Sequence, residues 1–161
     1  MVDLTLGKNA GEIRASHKMP SCGIAAGSTV LTLMGAIPVE FIAPGDRVIT
    51  RTGARVVRSV DIAVVKNSDV VRISEGVLDK DRPEADILVS PEQQILIRDW
   101  RAKAIASKSQ AVVSATRLTD GEYIRKEFTD EIWMISLRFD APETIYANGL
   151  ELLCEPVAVP A

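Results

Sequence analysis

From residue 28 onward the chain sets short runs of Val, Ile, Leu and Thr between turn residues that recur about every eight to twelve positions. The runs cover residues 29–33, 38–42, 47–51, 55–65, 70–74, 87–89, 95–98, 111–113, 123–126, 131–139, 144–147 and 150–154. None is long, and their rhythm predicts an all-β domain of about a dozen short strands. Strict alternation puts Trp133, Ile135, Leu137 and Phe139 on one face, the expected core side, with Met134, Ser136 and Arg138 opposite. Val56, Val60, Ile62 and Val64 repeat the pattern, with Arg58 intruding on the apolar side, which predicts a strand that bends or changes partners midway. Ala43-Pro44-Gly45-Asp46 and Thr52-Gly53-Ala54 read as chain reversals. Asn148-Gly149 is a two-residue hairpin signal, because both residues tolerate positive φ. Residues 99–108 are the stretch with helix-friendly composition, enough for one short helix. Residues 1–21 show no period of 2 or 3.6 and read as a flexible leader, and residues 156–161 as a tail.

Composition narrows the function classes. A chain of 161 residues with 47% apolar content can bury one core, so a disordered tail and a disulfide miniprotein are both excluded. Nineteen basic and 22 acidic residues, interspersed, give a net charge of −3, which argues against nucleic acid as a partner. No apolar run reaches membrane-spanning length and no signal peptide is recognisable, so the expectation is a soluble protein of unassigned compartment. Cys22 and Cys154 cannot define a disulfide framework, and no metal-ligand spacing or cofactor motif is present, so no cofactor is expected. His17 is the single histidine and precedes the first patterned segment, which leaves imidazole chemistry short of candidates.

The candidate chemistry starts at Pro20-Ser21-Cys22-Gly23, where a cysteine stands at the start of the patterned region. A thiol beside a peptide carbonyl can attack it and convert the Ser21–Cys22 amide into a thioester, given a proton for the leaving nitrogen. An unassisted thiol with a pKa of about 8.5 is only a few per cent thiolate at neutral pH, so an activating neighbour is required. The competing reading is a small thiol beside a glycine linker. Ser90 can orient a peptide through its hydroxyl or simply open a Ser-Pro turn. Asp46 reads as a turn aspartate bonding its own backbone, and Cys154, after Leu152 and Leu153, as a buried apolar thiol. Glu92, if desolvated near Cys22, would raise the thiol pKa. The charged, proline-containing stretch 79–84 reads as a solvated loop.

Several blocks in order carry a family resemblance. Cys22-Gly-Ile-Ala-Ala-Gly-Ser-Thr-Val-Leu-Thr, Met34-Gly-Ala-Ile-Pro-Val-Glu and Ala43-Pro-Gly-Asp-Arg-Val-Ile-Thr-Arg resemble the opening of a bacterial Hint domain, the hedgehog/intein autoprocessing module. Leu88-Val-Ser-Pro-Glu-Gln-Gln-Ile-Leu-Ile-Arg-Asp-Trp-Arg-Ala resembles the family's second block. Leu137-Arg-Phe-Asp and Ile145-Tyr-Ala-Asn-Gly-Leu-Glu resemble its closing hairpin, so the resemblance runs over residues 22–155. It implies a disk-like all-β fold and assigns Cys22 as the nucleophile of an N-to-S acyl shift. It further implies a Ser/Thr-x-x-His block whose histidine hydrogen-bonds the scissile peptide. The matching block here is Ser90-Pro91-Glu92-Gln93, so glutamine stands in the histidine's place. A glutamine can hydrogen-bond a carbonyl but cannot protonate a departing amide nitrogen. The closing strand shows Ser136 and Pro142 where similar proteins often carry imidazoles, and no terminal His-Asn pair is present.

Cys22, Ser90 and Gln93 are therefore the expected site residues, with Ser90 and Gln93 polarising the Ser21 carbonyl. The leading expectation is a structural or binding module with little or no self-cleavage, for which a protein is the candidate partner. The alternative is self-processing at Ser21–Cys22, with the chain's own polypeptide as substrate, and a third is an unrelated β-barrel. The Hint arrangement is expected to set the Thr29 and Leu150 strands side by side and bring Cys22 near Gln93 and the chain's end.

Overall fold

A computed structural model of the chain describes residues 4–5, 12–78 and 81–158. They form strands β1 (Leu4–Thr5), β2 (Glu12–Ser16), β3 (Ile24–Ala25), β4 (Thr29–Thr32), β5 (Gly35–Pro38), β6 (Arg47–Thr50), β7 (Gly53–Val56), β8 (Ser59–Ile73), β9 (Ile87–Val89), β10 (Gln94–Ile97), β11 (Ala111–Ser114), β12 (Ile124–Arg138), β13 (Glu143–Ala147) and β14 (Leu150–Cys154). One short helix, α1 (Trp100–Ala106), is capped by the Asp99 carboxylate, which accepts from the Arg101 amide. The expected all-β architecture is observed.

The strands lie in two sheets. One runs β1-β2-β8-β12-β3-β9, and the other runs β11-β10-β14-β13-β4-β6-β7 with β5 on β4. A single apolar cluster draws on both, from Ile24, Val60 and Ile135 of the first to Val30, Ile95 and Leu152 of the second. A smaller cluster of Ala25, Ala63, Val65, Val70 and Met134 uses the alternate positions of the first sheet, so that sheet is covered on both faces. This is why both Met134 and Ile135 are buried, whereas Trp133 is 50% exposed and corrects its placement in the core.

Two strands are longer than the apolar runs predict. β8 and β12 are each 15 residues long and pair antiparallel from Ser59↔Arg138 to Ile73↔Ile124. The sequence suggests breaks because the middle of this ribbon, around residues 66–69 and 128–131, is mostly exposed and polar apart from Phe128. Main-chain ladder bonds need no apolar side chain, so the strands continue through it. The run read at residues 55–65 is instead broken at residues 57–58, Val56 ending β7 and Ser59 opening β8, while β8 is flanked by β2 over residues 59–63 and by β9 over residues 71–73.

The local turn chemistry is realised as expected. Gly45 takes φ +97° and the Asp46 amide donates to the Ala43 carbonyl at 3.1 Å, closing the reversal. Asn148 and Gly149 take φ 47° and 83° and join β13 to β14. The Asn148 side-chain oxygen also accepts from the Thr29 amide at 2.8 Å, tying that hairpin to β4.

Upstream of Cys22, where the sequence shows no period, the structure has a strand. β2 pairs in parallel with β8 through Glu12↔Ser59 to Ser16↔Ala63. Since β2 and β3 flank the β8–β12 pair, residues 17–23 cross it, and Met19 packs against the smaller apolar cluster on the way. The upstream segment is thus strapped over the sheet before it delivers Cys22. His17 lies on this strap, exposed, with Nδ1 3.2 Å from the Val64 carbonyl oxygen.

Candidate functional site

The crossing strap ends at Gly23, whose place is set by close approach. A Cβ there would fall 2.8 Å from Pro20 Cγ, so the turn that presents Cys22 needs glycine. The stretch 21–23 is then gripped by three parts of the chain. The turn at residues 90–93 between β9 and β10 supplies the first grip. Its Ser90 amide donates to the Gly23 carbonyl at 3.0 Å. The Gly23 amide donates to Gln93 Oε1 at 2.9 Å. The Ser90 hydroxyl donates to the Ser21 carbonyl at 3.3 Å, the carbonyl that precedes Cys22. From β12, the Ser136 hydroxyl donates to the Cys22 carbonyl in a short bond.

Cys22, Ser90 and Gln93 therefore meet at one place, as expected, but with different tasks. Ser90 polarises the Ser21 carbonyl. Gln93 does not touch it, which corrects the expected role. Besides accepting from Gly23, its Nε2 donates to the carbonyls of Leu153 and Gln94, each at 2.9 Å. The carbonyl neighbours fix the amide orientation, because only Nε2 can donate to them. Both of its N–H groups are consumed in stitching β10 to β14, and the side chain is buried. Thr29 and Leu150 are likewise not on adjacent strands. β13 lies between β4 and β14 and pairs with both. The site nonetheless closes, because β14 runs beside β10 and carries Leu153 and Cys154 to Gln93.

The third grip was not legible in the sequence. Glu155, the residue after β14, accepts from the Ser21 hydroxyl at 2.9 Å and from the Cys22 thiol at 3.5 Å, both at Oε1. Its other oxygen pairs with Arg138 Nη1 at 3.1 Å, and Arg138 Nε reaches Asp61 at 2.8 Å. Ser21, Cys22, Glu155, Arg138 and Asp61 thus form one continuous polar chain. Glu92, which would raise the thiol pKa only if desolvated near Cys22, is exposed.

The electrostatics follow from this arrangement. Burial, then the Glu155 charge and hydrogen bond, push the Cys22 thiol up to about 11, against a smaller opposing effect of Arg138. The Ser21, Arg138 and Cys22 bonds hold the Glu155 carboxyl below its ordinary value. Burial pushes the Cys154 thiol up as well. Cys22, Gln93, Ser136 and Cys154 border a void of about 10 Å³. That is room for at most one water, so the buried side of the site admits no second substrate. Among the described residues no group of three His, Cys, Asp or Glu side chains could hold a metal ion. No helix among them is long and apolar enough to cross a membrane.

Comparison with known proteins agrees with this architecture. The gp41-1 intein crystal structure is similar at a TM-score of 0.54 and 17% identity, covering 83% of this chain and 98% of that one. A bacterial intein-like domain from Clostridium thermocellum, solved in solution, gives 0.56 and 17%, covering 83% and 97%. The MchDnaB-1 intein gives 0.55 and 11%, covering 82% and 99%. At these identities the likeness speaks for the fold. A search of curated proteins finds no match. The sequence pattern of the Hint domain, by contrast, matches residues 22–155, beginning at the strapped cysteine and ending at the glutamate that contacts it, and by that match the chain belongs to the Hint-domain family.

Proposed function

We propose that this Hint domain carries out little or no self-cleavage and serves as a structural or binding module, with a protein as its partner. One observation carries the reading. Gln93 stands in the histidine's place with every polar atom of its amide committed to Gly23, Gln94 and Leu153, so it has no proton to offer the Cys22 nitrogen. An N-to-S shift forms the bond from Cys22 Sγ to the Ser21 carbonyl carbon, breaks the Ser21–Cys22 C–N bond and moves the thiol proton to the departing nitrogen. Each half of that proton's journey is disfavoured here, since the thiol holds it tightly and no acid waits at the nitrogen.

A second reading, a slow shift at Ser21–Cys22 on the chain's own polypeptide, is favoured by the Ser90 hydroxyl on the Ser21 carbonyl. Intact mass after overnight incubation with dithiothreitol or hydroxylamine separates the two. Uncleaved protein is expected. A fragment beginning at Cys22 that is absent from Cys22→Ala would overturn the inert reading. Where a shift occurs, Gln93→His should accelerate it.

A further inference from the structure

The cysteine junction contains a charged group for which the family resemblance assigns no task. Glu155 Oε1 accepts two donors from consecutive residues, the Ser21 hydroxyl and the Cys22 thiol, on the two sides of the same peptide bond. Its geometry is not left to chance. Oε2 is anchored on Arg138, and Arg138 is itself held by Asp61 on β8 and by the Pro156 carbonyl at 3.3 Å. The Val157 amide donates to the Phe139 carbonyl at 2.8 Å, fixing the backbone just beyond Glu155 against the end of β12. We propose that the Arg138-anchored carboxylate of Glu155 is a lock on the Ser21–Cys22 junction, holding the thiol as a hydrogen-bond donor and so silencing it as a nucleophile until the negative charge is withdrawn. This rests on reading Cys22 as the reactive centre of the domain.

The physical basis is the asymmetry between thiol and thiolate beside a carboxylate. The thiol donates a hydrogen bond to it, whereas the thiolate would meet a like charge and lose that bond. The charged groups facing Cys22 are Glu155 after β14, Arg138 on β12 and, behind Arg138, Asp61 on β8, with the neutral Cys154 thiol across the void. Arg138 is the counter-charge that would favour a thiolate. It is spent on two carboxylates, so its effect at Cys22 is the smaller one. Neutralising Glu155 leaves Arg138 as the charge nearest the thiol, so local charge ceases to oppose the thiolate and burial alone holds the thiol up. The same step frees the Ser21 hydroxyl, loosening the residue whose carbonyl would be attacked.

The test is the rate of Cys22 alkylation by iodoacetamide, read by peptide mass between pH 7 and 11 on the full chain. Glu155→Gln is nearly isosteric, and the side chain is 45% exposed, so the fold should tolerate it. Glu155→Gln and Glu155→Ala are expected to alkylate about three- to tenfold faster than wild type at pH 8, with the midpoint moved to lower pH. Glu155→Asp, which keeps the charge, should stay nearer the wild type than either. Buried Cys154 serves as the internal control, since its labelling reports loss of the fold. If one variant labels Cys154, the others decide the question in the same assay. Equal rates and midpoints for wild type and the neutral variants overturn the lock, yet leave the inert reading standing. Spontaneous cleavage of the wild type overturns the inert reading while the alkylation comparison stays readable.

Discussion

The turn at residues 90–93, which grips Ser21 and Gly23, and the Arg138–Glu155 ion pair, which grips Ser21 and Cys22, hold one short stretch by different physics. The turn uses uncharged donors and acceptors, buried on both sides between Gln93 and Gly23 and part-buried between the Ser90 hydroxyl and the Ser21 carbonyl. The ion pair uses charges at a site open to water, with side-chain exposures of 28% for Arg138 and 45% for Glu155. Buried neutral bonds have no competing water and little dependence on pH, so their loss is expensive and constant. Exposed charges are screened, so their contribution to stability is small. Their effect on a neighbouring titratable thiol is nonetheless direct. The turn therefore fixes the shape of the junction, and the ion pair fixes the charge beside its thiol.

Breaking the turn should have the largest effect. Gln93→Ala leaves the buried Gly23 amide and the Leu153 carbonyl without partners, and should cost about 3 kcal/mol in urea denaturation at any pH from 5 to 8. A loss below about 1 kcal/mol would mean that water replaces the amide. Ser136→Ala removes the donor to the Cys22 carbonyl and should cost about 1–2 kcal/mol, with unchanged alkylation of Cys154 as the sign of an intact core. Next comes the alkaline limb of stability. The folded Cys22 thiol titrates at about 11 against 9.0 for the ordinary group, so stability is level below pH 9.0 and declines between these values. Discounted for partial exposure, the decline should be about 1 kcal/mol, and it should shrink in Cys22→Ala when midpoints at pH 8 and 11 are compared. Smallest is the ion pair itself. Its folded carboxyl lies below the ordinary 4.5, so its contribution is present above that pH and lost as the pH falls through the depressed value. Glu155→Gln should therefore cost about 0.5 kcal/mol at pH 7, less at about half-molar salt, and less again at pH 3. A salt-independent cost would place Glu155 with the turn rather than with the surface charges.

Much of the fold was legible because its signals are local. The reversals at Gly45 and at Asn148-Gly149 follow from positive φ, and the short helix from the composition of residues 99–108. Most strand positions followed from alternation. The polar middle of the β8–β12 ribbon was illegible because ladder bonds leave no mark on side-chain hydrophobicity. β2 was hidden for a similar reason, as it is held on β8 by main-chain pairing and shows no apolar period. Trp133 was misplaced because alternation assigns a face but does not say where along a strand that face ceases to be covered. Within the site, Cys22 was found from its place at the start of the patterned region and joined to Ser90 and Gln93 through the family resemblance, whereas the task of Gln93 depended on β14 arriving beside β10.

The sequence by itself determined an all-β chain, its reversals, a cysteine at the head of the patterned region and a glutamine where an imidazole would be expected. Those properties depend on residue identity and on neighbours a few positions away. Tertiary structure decided what the cysteine meets. Glu155 lies 133 residues from Cys22 along the chain and 3.5 Å from its sulfur in space, and Arg138 and Asp61 reach the same spot from two further strands. A thiol's proton affinity is set by burial and by charges within a few ångströms, and that neighbourhood is created only when the two sheets close on each other.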